Sequence, residues 1–244
     1  MDCVTVVAEF GASSIGGRFD TIDLYLILNT MTTTTIKYPS FDLLEASIDR
    51  DLTYKNYQSL KPVKTGHSIS RIAFDFAYSR WECFSNGIAD DTFVATKQLY
   101  GRPLVISFYS KHWNGKGAEY LKQLSDLKNE IKANGGSSIV ISAEAFSEEL
   151  TDLAQKNNLS LTFYFDQDNS IATQLGVYSE DDPIWNWFAG IDQNVPLLST
   201  FVIAAENVVV LNHNHRDHDE VLPGYDVIKS VSDASVLSNL LLSA

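Results

Sequence analysis

Cysteine is scarce in this chain: two thiols, Cys3 and Cys83, in 244 residues. Two cysteines cannot build a disulfide framework, and neither belongs to a CxxC or zinc-finger spacing. Basic residues are also few, 18 Lys and Arg against 31 Asp and Glu, a formal net charge of −13. Such a surface repels phosphate backbones and anionic lipid, so neither nucleic acid nor a membrane is expected as a partner. Long hydrophobic runs are missing. The most apolar stretch near the N-terminus, Leu24 to Leu28, is too short for a signal core or a membrane span. The expectation is a protein of the cytoplasm or another reducing compartment. Only Met1 and Met31 are methionines, and residues 1–30 carry little pattern. Met31 reads as the true start, or residues 1–30 as a loose extension.

What is present is an apolar complement of 45%, enough to build a core, with only 20% charged residues. The pattern divides the chain into an N-terminal extension, 1–62, and a domain, 63–244. Phe41, Leu43, Leu44, Ile48 and Leu52 recur at helical spacing between Tyr38 and Lys61. Ile72, Phe74, Phe76 and Tyr78 alternate, which predicts a half-buried strand. Ser85 to Asp91 reads as a turn-rich connector. Leu104–Tyr109, Ser138–Ser142 and Leu159–Phe165 read as buried strands. Helices are predicted over Ala118–Ala133, Phe146–Asn157 and Ser170–Leu175. A long loop follows, Tyr178–Leu198. Thr200–Ile203 and Val208–Leu211 form a hairpin, and Tyr225–Leu242 a closing helix with Val227, Ile228, Val231, Val236 and Leu240 facing inward. Alternating strands and helices imply parallel pairing, and the hairpin makes the sheet mixed.

This order resembles the thioredoxin-like α/β fold, a central mixed sheet flanked by helices. Leu99-Tyr100-Gly101-Arg102-Pro103-Leu104-Val105-Ile106-Ser107-Phe108-Tyr109 is similar to the L-x-G-K-P-x-V-x-x-F-Y strand of peroxiredoxins of the alkyl hydroperoxide reductase and thiol-specific antioxidant family. Pro196 followed by Ser199-Thr200-Phe201-Val202-Ile203 is similar to that family's P-x-x-A-T-F-V-I-D strand. The resemblance spans Thr92 to Glu220. It implies a redox turn at the start of the helix after the first strand, where a helix N-terminus lowers a thiol pKa. Here that turn reads Trp113-Asn114-Gly115-Lys116-Gly117. On the resemblance, Asn114 and Gly117 stand where the cysteines, or a peroxidatic threonine and cysteine, would be. Leu198 stands in place of the proline before the second strand, and no arginine lies between Pro196 and Thr200.

The resemblance therefore implies a redoxin-like binding or regulatory module without thiol chemistry and without a cofactor. Candidate ligand-binding residues are His112, Trp113, Asn114, Lys116 and Leu198, with Asn114 expected to cap the helix by accepting the N–H of Lys116 or Gly117. The partner is a protein or a small molecule. Asp181 to Phe188 sets three aromatics in the long loop, either as a dimerisation patch or folded over the altered turn.

Two other chemistries compete. Cys83 could serve as a relocated nucleophile of a thiol peroxidase, although a free cysteine is most often a small buried residue. His213, His215 and His218 lie within six residues and could hold zinc or nickel, but an HxH pair lacks a defined fourth ligand and Arg216 lies among them. Gly115-Lys116-Gly117 is half of a dinucleotide fingerprint whose third glycine is replaced by Tyr120. GxSxG, Walker A, HExxH and EF-hand patterns do not occur.

Overall fold

A computed structural model describes residues 59–90, 99–215 and 221–242, with side chains to 238. All lie in the unit Tyr54–Ala244. The helix expected from Tyr38 falls outside the described residues except at 59–61, which are irregular.

The order of elements follows from hydrophobic periodicity. β1 (Trp81–Ser85) and β2 (Ile88–Asp90) form a hairpin. β3 (Leu104–Tyr109), α1 (Asn114–Ala133), β4 (Ser137–Ser142), α2 (Glu148–Lys156), β5 (Thr162–Phe165) and α3 (Ser170–Gln174) alternate. β6 (Ser199–Ile203) and β7 (Val209–Asn214) form a second hairpin, and α4 (Gly224–Leu242) closes the chain. The seven strands make one sheet in the order β2-β1-β5-β4-β3-β6-β7. β3, β4 and β5 run parallel, with Leu104 opposite Ser137 and Val140 opposite Phe163. The two hairpins are antiparallel to this centre, one at each edge. This is a mixed, thioredoxin-like sheet.

β3 lies inside the sheet beside the middle strand β4 and is buried along its whole length, so it reads as a continuous apolar run rather than an alternation. α1 and α4 pack on each other and over β3, β4, β6 and β7. The inward face of α1 is Gly117, Tyr120, Leu121, Leu124 and Ile131. On α4 it is Val227, Val231, Ala234 and Ser238; Val236, expected inward, is 56% exposed. The helical repeat explains the error, because steps of four and three from Val227 reach Ala234, and Val236 lies on the outer side.

The first strand is also displaced from its expected place. Ser70–Ala77 is extended but unpaired, although Ile72 and Phe74 are buried. Side chains bind its backbone instead of a ladder: the Tyr100 hydroxyl donates to the Ile72 carbonyl at 3.0 Å, and the Trp81 indole N–H to the Asp75 carbonyl at 2.8 Å. The true strand begins at Trp81. Within the stretch expected as a connector lie the Asn86-Gly87 turn of a two-residue hairpin, with φ of 52° and 76° at the two residues, and the strand β2. Asparagine and glycine tolerate that left-handed backbone, and its twist matches the paired strands.

Among the described residues, no helix is long and apolar enough to cross a membrane.

Candidate functional site

The end of β3 leads into the predicted turn. Ser110 folds it: its Oγ accepts the His112 N–H at 3.1 Å and donates to Glu144 Oε1 at 2.5 Å. The other Glu144 oxygen accepts the Lys111 N–H at 3.3 Å. The turn is thus tied to the segment after β4. Lys111 extends outward to an ion pair with Glu149 at 3.0 Å. Trp113 is buried, donating its indole N–H to the Pro196 carbonyl at 3.0 Å, and its ring meets Phe188 edge-on at 5.1 Å.

α1 begins at Asn114, four residues before its expected start. Asn114 does not cap it in the expected way. Its backbone stands at φ 51° and ψ −136°, and its side-chain amide turns back to donate to the His112 carbonyl at 3.1 Å. With that geometry the side chain braces the turn. The residue carries a backbone conformation that glycine adopts far more cheaply.

Gly117 sits one turn further on, packed against the last residue of β3. A Cβ built there would stand 2.9 Å from Tyr109 Cε2 and 3.2 Å from Trp113 Cβ. Both neighbours are buried, so no side chain fits without displacing an aromatic ring. Burial, with the carboxylates of Glu144 and Glu149 adding to it, pushes the Tyr109 phenol up to about 12.

Outside this plug lies a shallow open cleft of ≈460 Å³ between the turn and Phe188–Ile191. His112, Trp113, Asn114 and Lys116 line it, together with Glu119. His112 Nδ1 lies 3.1 Å from Asp192 Oδ1. Leu198 is the one ligand candidate not brought to the cleft. It is fully buried before β6, its carbonyl accepting the His215 N–H at 2.9 Å. The aromatic loop divides its residues between the two expected roles. Phe188 folds onto Trp113, while Trp185 and Trp187 remain 49% and 58% exposed.

Beneath the turn runs a polar chain that the sequence pattern does not announce. Ser107 Oγ and Thr200 Oγ1 lie 2.6 Å apart across β3 and β6, and the Tyr120 hydroxyl hydrogen-bonds to the same Thr200 oxygen. The Tyr120 ring meets His215 edge-on at 4.9 Å, and His215 meets His213 at 5.3 Å. Tyr120 shares α1's core face with Leu121 and Leu124, which is the only signal that could have found it. His218 lies outside the described residues. Among the described residues, no group of three or more His, Cys, Asp or Glu side chains could hold a metal ion.

Cys83 stands elsewhere. It lies within β1, half-buried, its Sγ 3.8 Å from Thr162 Oγ1. Burial pushes its thiol up, a larger effect than the lowering by the Thr162 hydrogen bond and by the positive charge of Lys128. Lys128 is a basic neighbour that sequence proximity could not supply, because it reaches Cys83 from α1.

Solved structures similar to this chain in fold include three peroxiredoxins. Enterococcus faecalis AhpC aligns with a TM-score of 0.51 at 13% identity, over 70% of this chain and 94% of that one. Mycobacterium tuberculosis AhpC aligns at 0.50 and 15%, over 74% and 97%. The mitochondrial 2-cys peroxiredoxin from Plasmodium falciparum aligns at 0.50 and 11%, over 72% and 96%. No curated protein sequence matches. The AhpC/TSA family profile matches residues 73–211, more than half of the chain and both strands flanking the Trp113 turn, so the chain belongs to the AhpC/TSA family.

Proposed function

We propose that this peroxiredoxin-like chain is a binding or regulatory module without thiol chemistry, engaging a protein partner at the His112–Lys116 turn. The observation that carries the reading is the packing at Gly117: the first turn of α1 has Tyr109 where a side chain would go. A nucleophile needs both a thiol and space for the peroxide, and neither is offered there. The raised thiol of Cys83 supports the same reading, since the thiolate is the reactive form. The shallow cleft, bordered by the loop that exposes Trp185 and Trp187, suits a protein surface, including a second copy of the chain, better than a small molecule. A reducing compartment such as the cytoplasm fits a protein with two cysteines.

The test is hydrogen peroxide consumption by the purified full chain with thioredoxin, thioredoxin reductase and NADPH, alongside Cys83→Ala. The expected rate is that of the recycling system alone, the same in both proteins. Turnover above background that disappears in Cys83→Ala overturns the proposal and makes the chain a peroxidase with a relocated thiol. For the partner, a pull-down with the wild type should retain a protein that is lost with His112→Ala/Lys116→Glu and with Trp187→Ala.

A further inference from the structure

At the N-terminal ends of the parallel strands, away from the Trp113 turn, a gap opens beside the far half of α1. The gap is a hollow of ≈390 Å³. Its apolar walls include Phe84, Leu99, Ile131 and Ile139, all buried residues of the core. Its charged groups are Arg102, Lys128 and Lys132 against one carboxylate, Asp90. Three cations facing one acid is a reversal in a chain that is −13 overall.

Lys128 is the informative member. It is half-buried, and burial, the largest influence on it, pulls its ammonium below the usual lysine range. Among the described residues, none of Arg102, Lys128 and Lys132 forms an ion pair. Among the described residues Asp90 is the one carboxylate beside this partly desolvated cation, so much of the cost of burying the charge remains, and an anion entering the hollow would lower it. The volume and the mixture of apolar wall with few polar groups are those of small-molecule sites.

We propose that this hollow is a second binding site, for a small amphiphilic carboxylate whose head meets Lys128 and Lys132 and whose apolar body lies on Phe84, Leu99, Ile131 and Ile139. The site is independent of the reading of the Trp113 turn. Cys83 lies in its wall and serves as a built-in reporter.

The test uses the full chain carrying Cys3→Ser, so that Cys83 is the sole thiol. Octanoate is titrated calorimetrically, with octylamine and acetate as controls for head and body. Octanoate should bind with one-to-one stoichiometry and slow maleimide alkylation of Cys83 severalfold. Octylamine should not bind, and acetate should bind at least tenfold more weakly. Lys128→Met/Lys132→Met should weaken octanoate at least tenfold, and the exposed Arg102→Glu severalfold, the second variant deciding the matter where the first does not fold. Lys122→Met, on the solvent side of α1, should leave the affinity unchanged. The proposal is overturned by absence of octanoate binding, by equal binding of octylamine, or by binding that leaves Cys83 alkylation and the lysine variants unaffected.

Discussion

The two ends of α1 are built in opposite ways. At its start the helix lies so close to β3 that Gly117 is the largest residue the Tyr109 ring admits. Beside its far half, where Ile131 is still packed in the core, a hollow is lined by Lys128 and Lys132. The first end is where the family resemblance places thiol chemistry, and it is filled. The second is where the resemblance implies nothing, and it is open. A fold can thus be kept while its site is closed and space appears elsewhere, because the sheet is held by the buried strands and not by the turn.

The contrast can be broken most sharply at Gly117. Gly117→Cys should destabilise the protein by about 1–3 kcal/mol, the usual cost of overpacking, despite the better helix propensity of the new residue. Equilibrium urea unfolding measures it, and Tyr109→Leu in the same chain should recover much of the loss. Equal stability would mean that the turn has room. Next in size is the polar chain below the turn. Thr200→Val removes the shared partner of Ser107 and Tyr120 and should cost about 1–2 kcal/mol, because two buried hydroxyls lose a bond. A neutral result would show that the hydroxyls find other partners.

Asn114 offers a smaller effect with a diagnostic sign. Asn114→Ala should cost about 1 kcal/mol, whereas Asn114→Gly should be neutral or stabilising, because the positive φ favours glycine. An asparagine acting as a helix cap would lose about 1 kcal/mol to alanine and a few tenths to glycine, so a loss at Asn114→Gly rather than a gain is what would mark a cap. At the open end, added volume should matter least: Ser138→Thr should stay within about 0.5 kcal/mol of wild type. A loss as large as that at Gly117 would abolish the contrast between the two ends.

Tyr109 adds a pH slope. Its folded-state pKa, about 12, is above the ordinary value of 10.0. Between these values the unfolded state has lost the phenol proton and the folded state keeps it, so stability falls as pH rises from about 10 to about 12. Tyr109→Phe should unfold with a shallower pH dependence across that window and an unchanged one below pH 9. Parallel curves would mean that the phenol is solvated.

How much of this was legible beforehand differs between the same two regions. The central elements were readable because β3, β4 and β6 are short apolar runs and α1 carries a helical periodicity. The first hairpin was not, because Trp81–Ser85 buries only Trp81 and Phe84 fully, which is no strand alternation, while the preceding aromatic segment alternates without pairing. The Asn86-Gly87 pair was the available signal. At the turn, the positions of His112, Trp113, Asn114 and Lys116 followed from the strand-to-helix order. The brace made by Asn114 did not, because capping preference depends on a φ that residue type alone leaves open. The Lys128–Cys83 neighbourhood was invisible for a different reason: the two residues are 45 positions apart and meet only through the packing of α1 beside β1.

The central claim is that the chain carries no peroxide-reactive thiol at either end of α1. The direct measurement is intact-protein mass spectrometry after brief exposure to one equivalent of hydrogen peroxide, with dimedone present to trap sulfenic acid. The account predicts that Cys83 remains a reduced, unlabelled thiol, reacting no faster than a free cysteine. Stoichiometric dimedone labelling of Cys83 within seconds would contradict it.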